Sequence, residues 1–402
     1  MAEPSTAKRK RLAIVATVWK HLSHAQHMGD RFLVGYPRDG AWHRPAIDVV
    51  SLYVDQRPEG DQSDERAREF GFKVYPTIAE ALRAGGGKLA VDGVLVIGEH
   101  GDYPTNAKGQ IQYPRYEFFE QIVRVFEEDG RAVPVFNDKH LSYSFDKASR
   151  MVAASKRLKF PLLAGSSLPV TWRLPSVEMP YGAAVDEALM VGVGSSDAMD
   201  FHALEAMQSM LERRRNGETG VKAVQLIQGP AVWQAGKDGR WSRELLEAAL
   251  SRSQSRSGKG LEDGRTQDLT HSGELEELVR EPAAYLIEYR DGLRATLLML
   301  NGAVGDYTFA CRLKDGARVL STQFLLPITP NVVYSACLMS KAEQMFETGV
   351  APYPAERTQL VCGILDFCLE SKVRGNRRLD TPELAVKYRA PEQSLFCGAG
   401  GV

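Results

Sequence analysis

RLAIVATVWKHLSHAQH, Arg11 to His27, reads as a buried strand, Leu12 to Val15, that feeds a turn and then a helix. The turn has the outline of a dinucleotide-binding loop without its glycines. A G-x-G-x-x-G fingerprint would place glycine at positions 16, 18 and 21, where this chain carries Ala16, Val18 and His21. The first glycine of that fingerprint allows the tight turn, the second lets backbone approach a pyrophosphate, and the third lets the helix pack closely on the strand. A Cβ at all three positions argues against a dinucleotide held in the ordinary way. His21 could instead donate to an anion or fill the vacated space with its imidazole. His21, His24 and His27 recur every third residue, so they drift over one broad side of a helix. Two of them could share a ligand there, or all could be surface and capping residues.

Working outward, the chain alternates short apolar strands with helices as far as Gly165, the sequence form of a doubly wound parallel sheet. The strands are RLAIVA, IDVVSLYVD ending at Asp55, FKVYP, VDGVLVIG ending at Gly98, AVPVFND ending at Asp138, and FPLLAG ending at Gly165. Between them, TIAEALRAG and YEFFEQIVRVFEEDG have apolar residues at helical spacing and finish at glycine. SFDKASRMVAASKRLK begins after a Ser144 cap. After Pro169 the texture changes to longer strands: residues 189–193, VKAVQLIQG, AAYLIEYRDGLRATLLMLNG, DYTFACRLKDG and VLSTQFLLP, with RDG and KDG as hairpin turns. This predicts a Rossmann-like domain over 11–168, preceded by a polar tail over 1–10. An α+β domain with a largely antiparallel open sheet follows over 169–402, helices falling in SSDAMDFHALEAMQSMLERRR, near Val332 to Glu347 and from Pro354 to Lys372. The polar stretch Ser251 to Leu269 reads as a flexible excursion or a lid over a substrate.

Composition bounds the partners. With 50 basic and 51 acidic residues the net charge is -1, which gives no electrostatic reason to expect nucleic acid or an anionic membrane. The basic cluster Lys8 to Arg11 is a solvated tail. Five cysteines, Cys311, Cys337, Cys362, Cys368 and Cys397, lack C-x-x-C spacing and read as reduced thiols in a cytoplasmic protein. No apolar run is long enough to span a membrane, and no apolar signal core opens the chain.

Four segments together carry a family resemblance. DGVLVIGEHGDYP, then VPVFNDKHLSYSFDKASRMVAASKRLKFPLLAG, then MDFHALEAM and YPAERTQLVCGILDFCLES resemble the Gfo/Idh/MocA oxidoreductases over most of the chain. That resemblance implies a two-domain NAD(P) enzyme acting on a sugar, cyclitol or similar polyhydroxylated substrate, with a homo-oligomer built through the C-terminal sheet. It makes Lys139 the active-site lysine, because NDKHL stands in the place of E-K-P-L, and His202 the active-site histidine. An aspartate usual four residues before that histidine is Ala198 here, with Asp197 and Asp200 as neighbours. Asp55 matches the acid that holds a ribose hydroxyl, although it lies 39 residues after Ala16 because DRFLVGYPRDGAWHRP lengthens the connection.

Residue chemistry adds further candidates. Lys139 ends a strand of the parallel sheet, where open α/β sheets place ligands, with Asp138 and His140 beside it. Glu99, His100 and Asp102 end the neighbouring strand and could bind substrate. Glu99, His100 and Asp138 could equally hold a divalent metal or form hydrogen-bonded loop architecture. Trp19, Trp172 and Arg173 could form a sugar-stacking and carboxylate-binding wall, or simply pack. Three readings remain open: an oxidoreductase with a nicotinamide bound unusually, a non-redox lyase, epimerase or hydrolase on the same scaffold, and a non-catalytic binding or scaffold protein.

Overall fold

The computed structural model describes residues 9–194, 197–258, 270–314, 318–327 and 332–398. Most of the polar tail and residues 259–269 of the polar excursion lie outside these. In the first half, β1 (Lys10–Ala16), α1 (His24–Leu33) and a small hairpin, β2 (Tyr36–Arg38) with β3 (Ala41–His43), lead into β4 (Ile47–Val54). Then come α2 (Ser63–Phe70), β5 (Lys73–Val74), α3 (Ile78–Arg83), β6 (Gly93–Ile97), α4 (Arg115–Asp129), β7 (Val135–Asp138), α5 (Phe145–Leu158) and β8 (Leu162–Gly165). The six long and short strands of this sheet run in the order β5-β4-β1-β6-β7-β8, all parallel. Chain order reverses between β1 and β6, so a ligand crevice belongs at their C-terminal ends.

Both faces of β1 are covered, which is why its sequence is continuously apolar rather than alternating. Ala13 and Val15 share a core with Ile78, Phe119 and Ile122 of α3 and α4. Leu12 and Ile14 face Met28 of α1 and, from far along the chain, Leu338 and Met345. Two cap readings are corrected. Ser144 precedes α5, but its side chain makes no cap bond. Asp366 instead accepts from the Phe145 amide at 3.0 Å. α3 closes on Ala84 with φ 48, one residue before the glycine, whereas α4 closes on Gly130 with φ 65.

The second half contains β9 (Arg173–Leu174), β10 (Val185–Gly192), α6 (Asp197–Leu211), β11 (Val221–Gln228), α7 (Pro230–Lys237), α8 (Arg243–Leu250) and α9 (Glu274–Leu278). It continues with β12 (Ala283–Tyr289), β13 (Arg294–Met299), β14 (Tyr307–Leu313), β15 (Val319–Phe324), α10 (Tyr334–Thr348), α11 (Glu356–Val373) and β16 (Leu379–Asp380). Its sheet has the order β16-β11-β12-β13-β10-β14-β15-β9, antiparallel at every pairing except β10 with β13. The RDG turn closes as read, with Gly292 at φ 88. The KDG turn runs into 315–317, outside the described residues.

One face of this sheet packs on α6 and α11. On the other, Leu189, Val191 and Ala310 lie under Trp233, Trp241, Leu245 and Leu246 of the α7–α9 region. The chain thus covers the apolar surface of that sheet face itself. Among the described residues no helix is long and apolar enough to cross a membrane. All five cysteines are unbridged.

Candidate active site

Ala16, Val18 and Trp19 are fully buried, and α1 begins only at His24, after the Ser23 side chain has accepted a bond from the Gln26 amide. Ser23 thus satisfies a helix N-terminal donor that a pyrophosphate would otherwise use. The loop is also bound down. Thr17 donates its amide to Ile97 at 3.1 Å and its hydroxyl to the Glu99 carbonyl at 2.7 Å, and the Gln62 amide donates to the Trp19 carbonyl at 2.7 Å. A close-approach glycine does exist, but it sits on the helix at Gly29, where a Cβ would come within 2.5 Å of the Trp19 ring. The indole fills the space between the turn and α1. His21 is exposed and does not fill it.

Asp55 ends β4 as the resemblance implied, yet both its oxygens accept phenols, from Tyr53 at 2.8 Å and Tyr103 at 2.7 Å. Beside it the Gln56 amide group makes two bonds of 2.9 Å to the backbone of Asp102. Asp102 therefore contributes main chain to a bridge between two strand ends, and its side chain is exposed. At this cleft, then, buried side chains stand in the turn, Ser23 occupies one helix N-terminal donor, and each Asp55 oxygen accepts a phenol.

What stands at the strand ends instead is a buried polar cluster. His24 Nδ1 lies 2.7 Å from Asp138 Oδ2, joining the first turn of α1 to the end of β7. The His24 ring packs edge-on against His27 and His100, with centroids 4.9 and 5.1 Å away. Lys139 donates to Glu99 Oε1 at 3.1 Å, and Arg115 holds the other Glu99 oxygen while donating to His140 Nε2 at 3.2 Å. Asp197, at the start of α6, lies 4.0 Å from His140. His100 and Lys139 both take positive φ, 69° and 56°. Non-glycine residues held there at two adjacent strand ends are the kind of backbone strain that clusters at functional sites.

The electrostatics of the cluster follow from burial and its two cations. Burial opposes ionisation of Glu99, but Lys139 and Arg115 outweigh it and hold the carboxyl well below its usual range. Burial, reinforced by neighbouring cationic groups, pushes His140 and His202 well below their ordinary value. The same cause takes His100 down to about 4. Asp197 is pushed up to about 6, again chiefly by burial. At neutral pH these histidines are neutral donor–acceptors. His27 Nδ1, His100 Nε2, Asp138 Oδ1, His140 Nδ1 and His202 Nδ1 are buried without a hydrogen-bond partner. Orphaned atoms gathered in one place point to a ligand that would satisfy them.

No protein-family model matches the chain, and no curated protein sequence matches it. Solved structures do. GenD2 from gentamicin A biosynthesis, in complex with NAD, superimposes with a TM-score of 0.56 at 14% identity, covering 93% of this chain and 97% of that one. Myo-inositol 2-dehydrogenase from Lactobacillus plantarum gives 0.55 at 10% identity over 93% and 99% of the two chains. The chain has their two-domain fold. Myo-inositol dehydrogenase from Lactobacillus casei, in complex with NAD(H) and myo-inositol, gives 0.53 at 11% identity over 92% and 96%.

Within that fold the sequence candidates divide. Lys139, Asp138, His140, His202, Glu99 and His100 come together, whereas Trp172 and Arg173 do not join them. Arg173 is buried, paired with Glu178 at 2.6 Å and held over the Phe324 and Phe396 rings, so its charge is spent on packing. Among the described residues no group of three or more His, Cys, Asp or Glu is placed to hold a metal ion. Glu99 explains this for the Glu99, His100 and Asp138 set, since both its oxygens are taken by cations. Sequence reading missed Arg115 as a site residue and named His24 only as one of three helix histidines of which two could share a ligand. Ser23 as the helix cap would have put His24 first in the helix, facing the sheet, and separated it from His21.

Proposed function

We propose that this chain is an enzyme of acid–base chemistry that acts on a small polyhydroxylated carbonyl compound at the ends of β1, β6 and β7, without a dinucleotide in the ordinary pose. The His24–Asp138 contact carries the reading, because it places a carboxylate-held imidazole where the first turn of a dinucleotide enzyme needs room. An imidazole that donates its Nδ1 proton to a carboxylate presents Nε2 as a base, with the tautomer here assigned from the hydrogen bond. Lys139 spends one donor on Glu99 and keeps others to polarise a substrate oxygen. Neutral His100 and His202 supply hydrogen bonds suited to hydroxyl groups. Asp138 is a positioning residue and His24 the base that removes a proton from carbon beside the polarised carbonyl. The fold shared with a myo-inositol dehydrogenase crystallised with its cyclitol supports the substrate class.

A second reading is an NAD(P)-dependent oxidoreductase with the dinucleotide shifted away from the filled turn. Asp55 at the end of β4 and the NAD-bound structures of this fold support it. Two measurements separate the readings: titration calorimetry with NAD, NADH, NADP and NADPH, and deuterium wash-in from heavy water into a panel of ketoses and aldoses, followed by mass spectrometry. Acid–base chemistry predicts no saturable dinucleotide binding and cofactor-free exchange in some panel member. That exchange is abolished by Lys139→Met, and Asp138→Asn slows it and displaces its pH profile. Tight dinucleotide binding with no exchange would overturn the first reading and leave the second standing.

A further inference from the structure

A second cavity, of about 680 Å³, lies between α10, the β2–β3 hairpin and the segment 393–398, and shares no lining residue with the strand-end cluster. Its volume is that of a small-molecule site. All three walls are fixed in place. Glu343, beside the lining face of α10, accepts from the Tyr36 hydroxyl and contacts His43 Nε2 at 2.8 Å, which bolts the hairpin to the helix. The terminal segment is held by the Cys397 amide on the Val170 carbonyl at 2.9 Å and by Ser394 on Glu178 at 2.6 Å.

Three charged residues line it, Arg38, Asp39 and Lys341. Ser340, Lys341 and Gln344 lie on one face of α10 and line the cavity, with Trp172 and Phe396 as its apolar wall. Lys341 is half-buried, and its ammonium makes neither a hydrogen bond nor an ion pair with any described residue. Across the cavity, Arg38 is already matched by Asp39 at 3.3 Å. Burial lowers the lysine's affinity for its proton, so the ammonium is held at a cost that an anion seated beside it would remove.

We propose that this cavity binds a small organic anion whose acidic group meets Lys341 and whose planar or apolar body lies against Trp172. The two polar side chains beside Lys341 would accept or donate to the remaining oxygens. This gives Trp172 a ligand-facing role away from the candidate active site, and it stands whichever reading of that site holds.

Benzoate, phenyl phosphate and uncharged benzamide are the probes, titrated calorimetrically at low salt. Saturable binding of one of the anions, with benzamide silent, is expected; which anion binds distinguishes a carboxylate from a phosphate ester. Lys341→Met weakens that binding about tenfold or more, as loss of a charged hydrogen bond does. Lys341→Arg retains most of it, Trp172→Ala weakens it independently, and Lys139→Met leaves it unchanged. The proposal fails if neither anion binds, if benzamide binds as well as benzoate, or if both Lys341→Met and Trp172→Ala bind like the unaltered protein.

Discussion

Replacing Glu99 by glutamine keeps the side chain's size and one acceptor but deletes the charge between Lys139 and Arg115. All three residues are at most 5% exposed. At 3.1 Å from Lys139 Nζ, and with an effective dielectric near 20, the Coulomb attraction for that one contact is about 5 kcal/mol. Removing one partner of a buried pair costs about 3–5 kcal/mol, since the remaining charges stay desolvated. Glu99→Gln is therefore expected to lose about that much stability. Glu288→Gln, which breaks an exposed pair with Arg378 whose side chains are 42% and 39% exposed, is the control and costs under about 1 kcal/mol. Urea unfolding at neutral pH measures both, and amide exchange of β6 and β7 localises the effect to the first sheet. A folded-state value held below the ordinary carboxyl range stabilises above about pH 4.3 and fades as pH falls through the folded value. The gap between the two proteins should then persist from neutral pH down to mild acid and close only below it. If Glu99→Gln costs no more than Glu288→Gln, the carboxylate is not clamped between buried cations, and the electrostatic account of the site is wrong.

Gly29→Ala forces a Cβ to 2.5 Å from a fully buried indole, so overpacking of about 1–3 kcal/mol is expected in the urea midpoint. An unaffected midpoint means that Trp19 does not fill the turn as described. His100, held down to about 4 by burial, binds fewer protons folded than unfolded between there and about 6.5. Its stabilising effect is full above that window and declines as pH falls, while Asp197, raised to about 6, works the opposite way: its contribution is present in acid and lost as pH rises through that value. His100→Gln should flatten the acid fall by up to about 3 kcal/mol, and an unchanged pH slope contradicts the burial. Leu246, 1% exposed on α8, covers the second sheet. Leu246→Ala is expected to cost about 2–5 kcal/mol and to speed exchange of β10 and β14 amides; normal protection there argues against the covered face.

The strands of the first sheet were legible because a parallel sheet covered on both faces writes itself as short continuous apolar runs. Six such runs stand where the six strands do. Local caps were less so: Ser144 has the right residue type, but Asp366, more than two hundred positions later, does its work. Short helices such as α7 and α8 were missed because their amphipathic faces only become meaningful once a sheet lies beneath them.

By itself, then, the sequence determined the order of the main strands and the longer helices, the change from parallel to antiparallel texture, the absence of fingerprint glycines, and the arrival of Glu99, Asp138 and Lys139 at strand ends. Those are properties of local pattern, where period and turn chemistry suffice. Tertiary structure alone decided that His24 turns to Asp138 while His21 turns to solvent, that Trp19 occupies the turn, and that Arg115 shares Glu99 with Lys139. It also decided that Trp172 faces a cavity remote in chemistry from the strand ends. Such facts depend on which side chains meet across elements distant in sequence, and no local period records that.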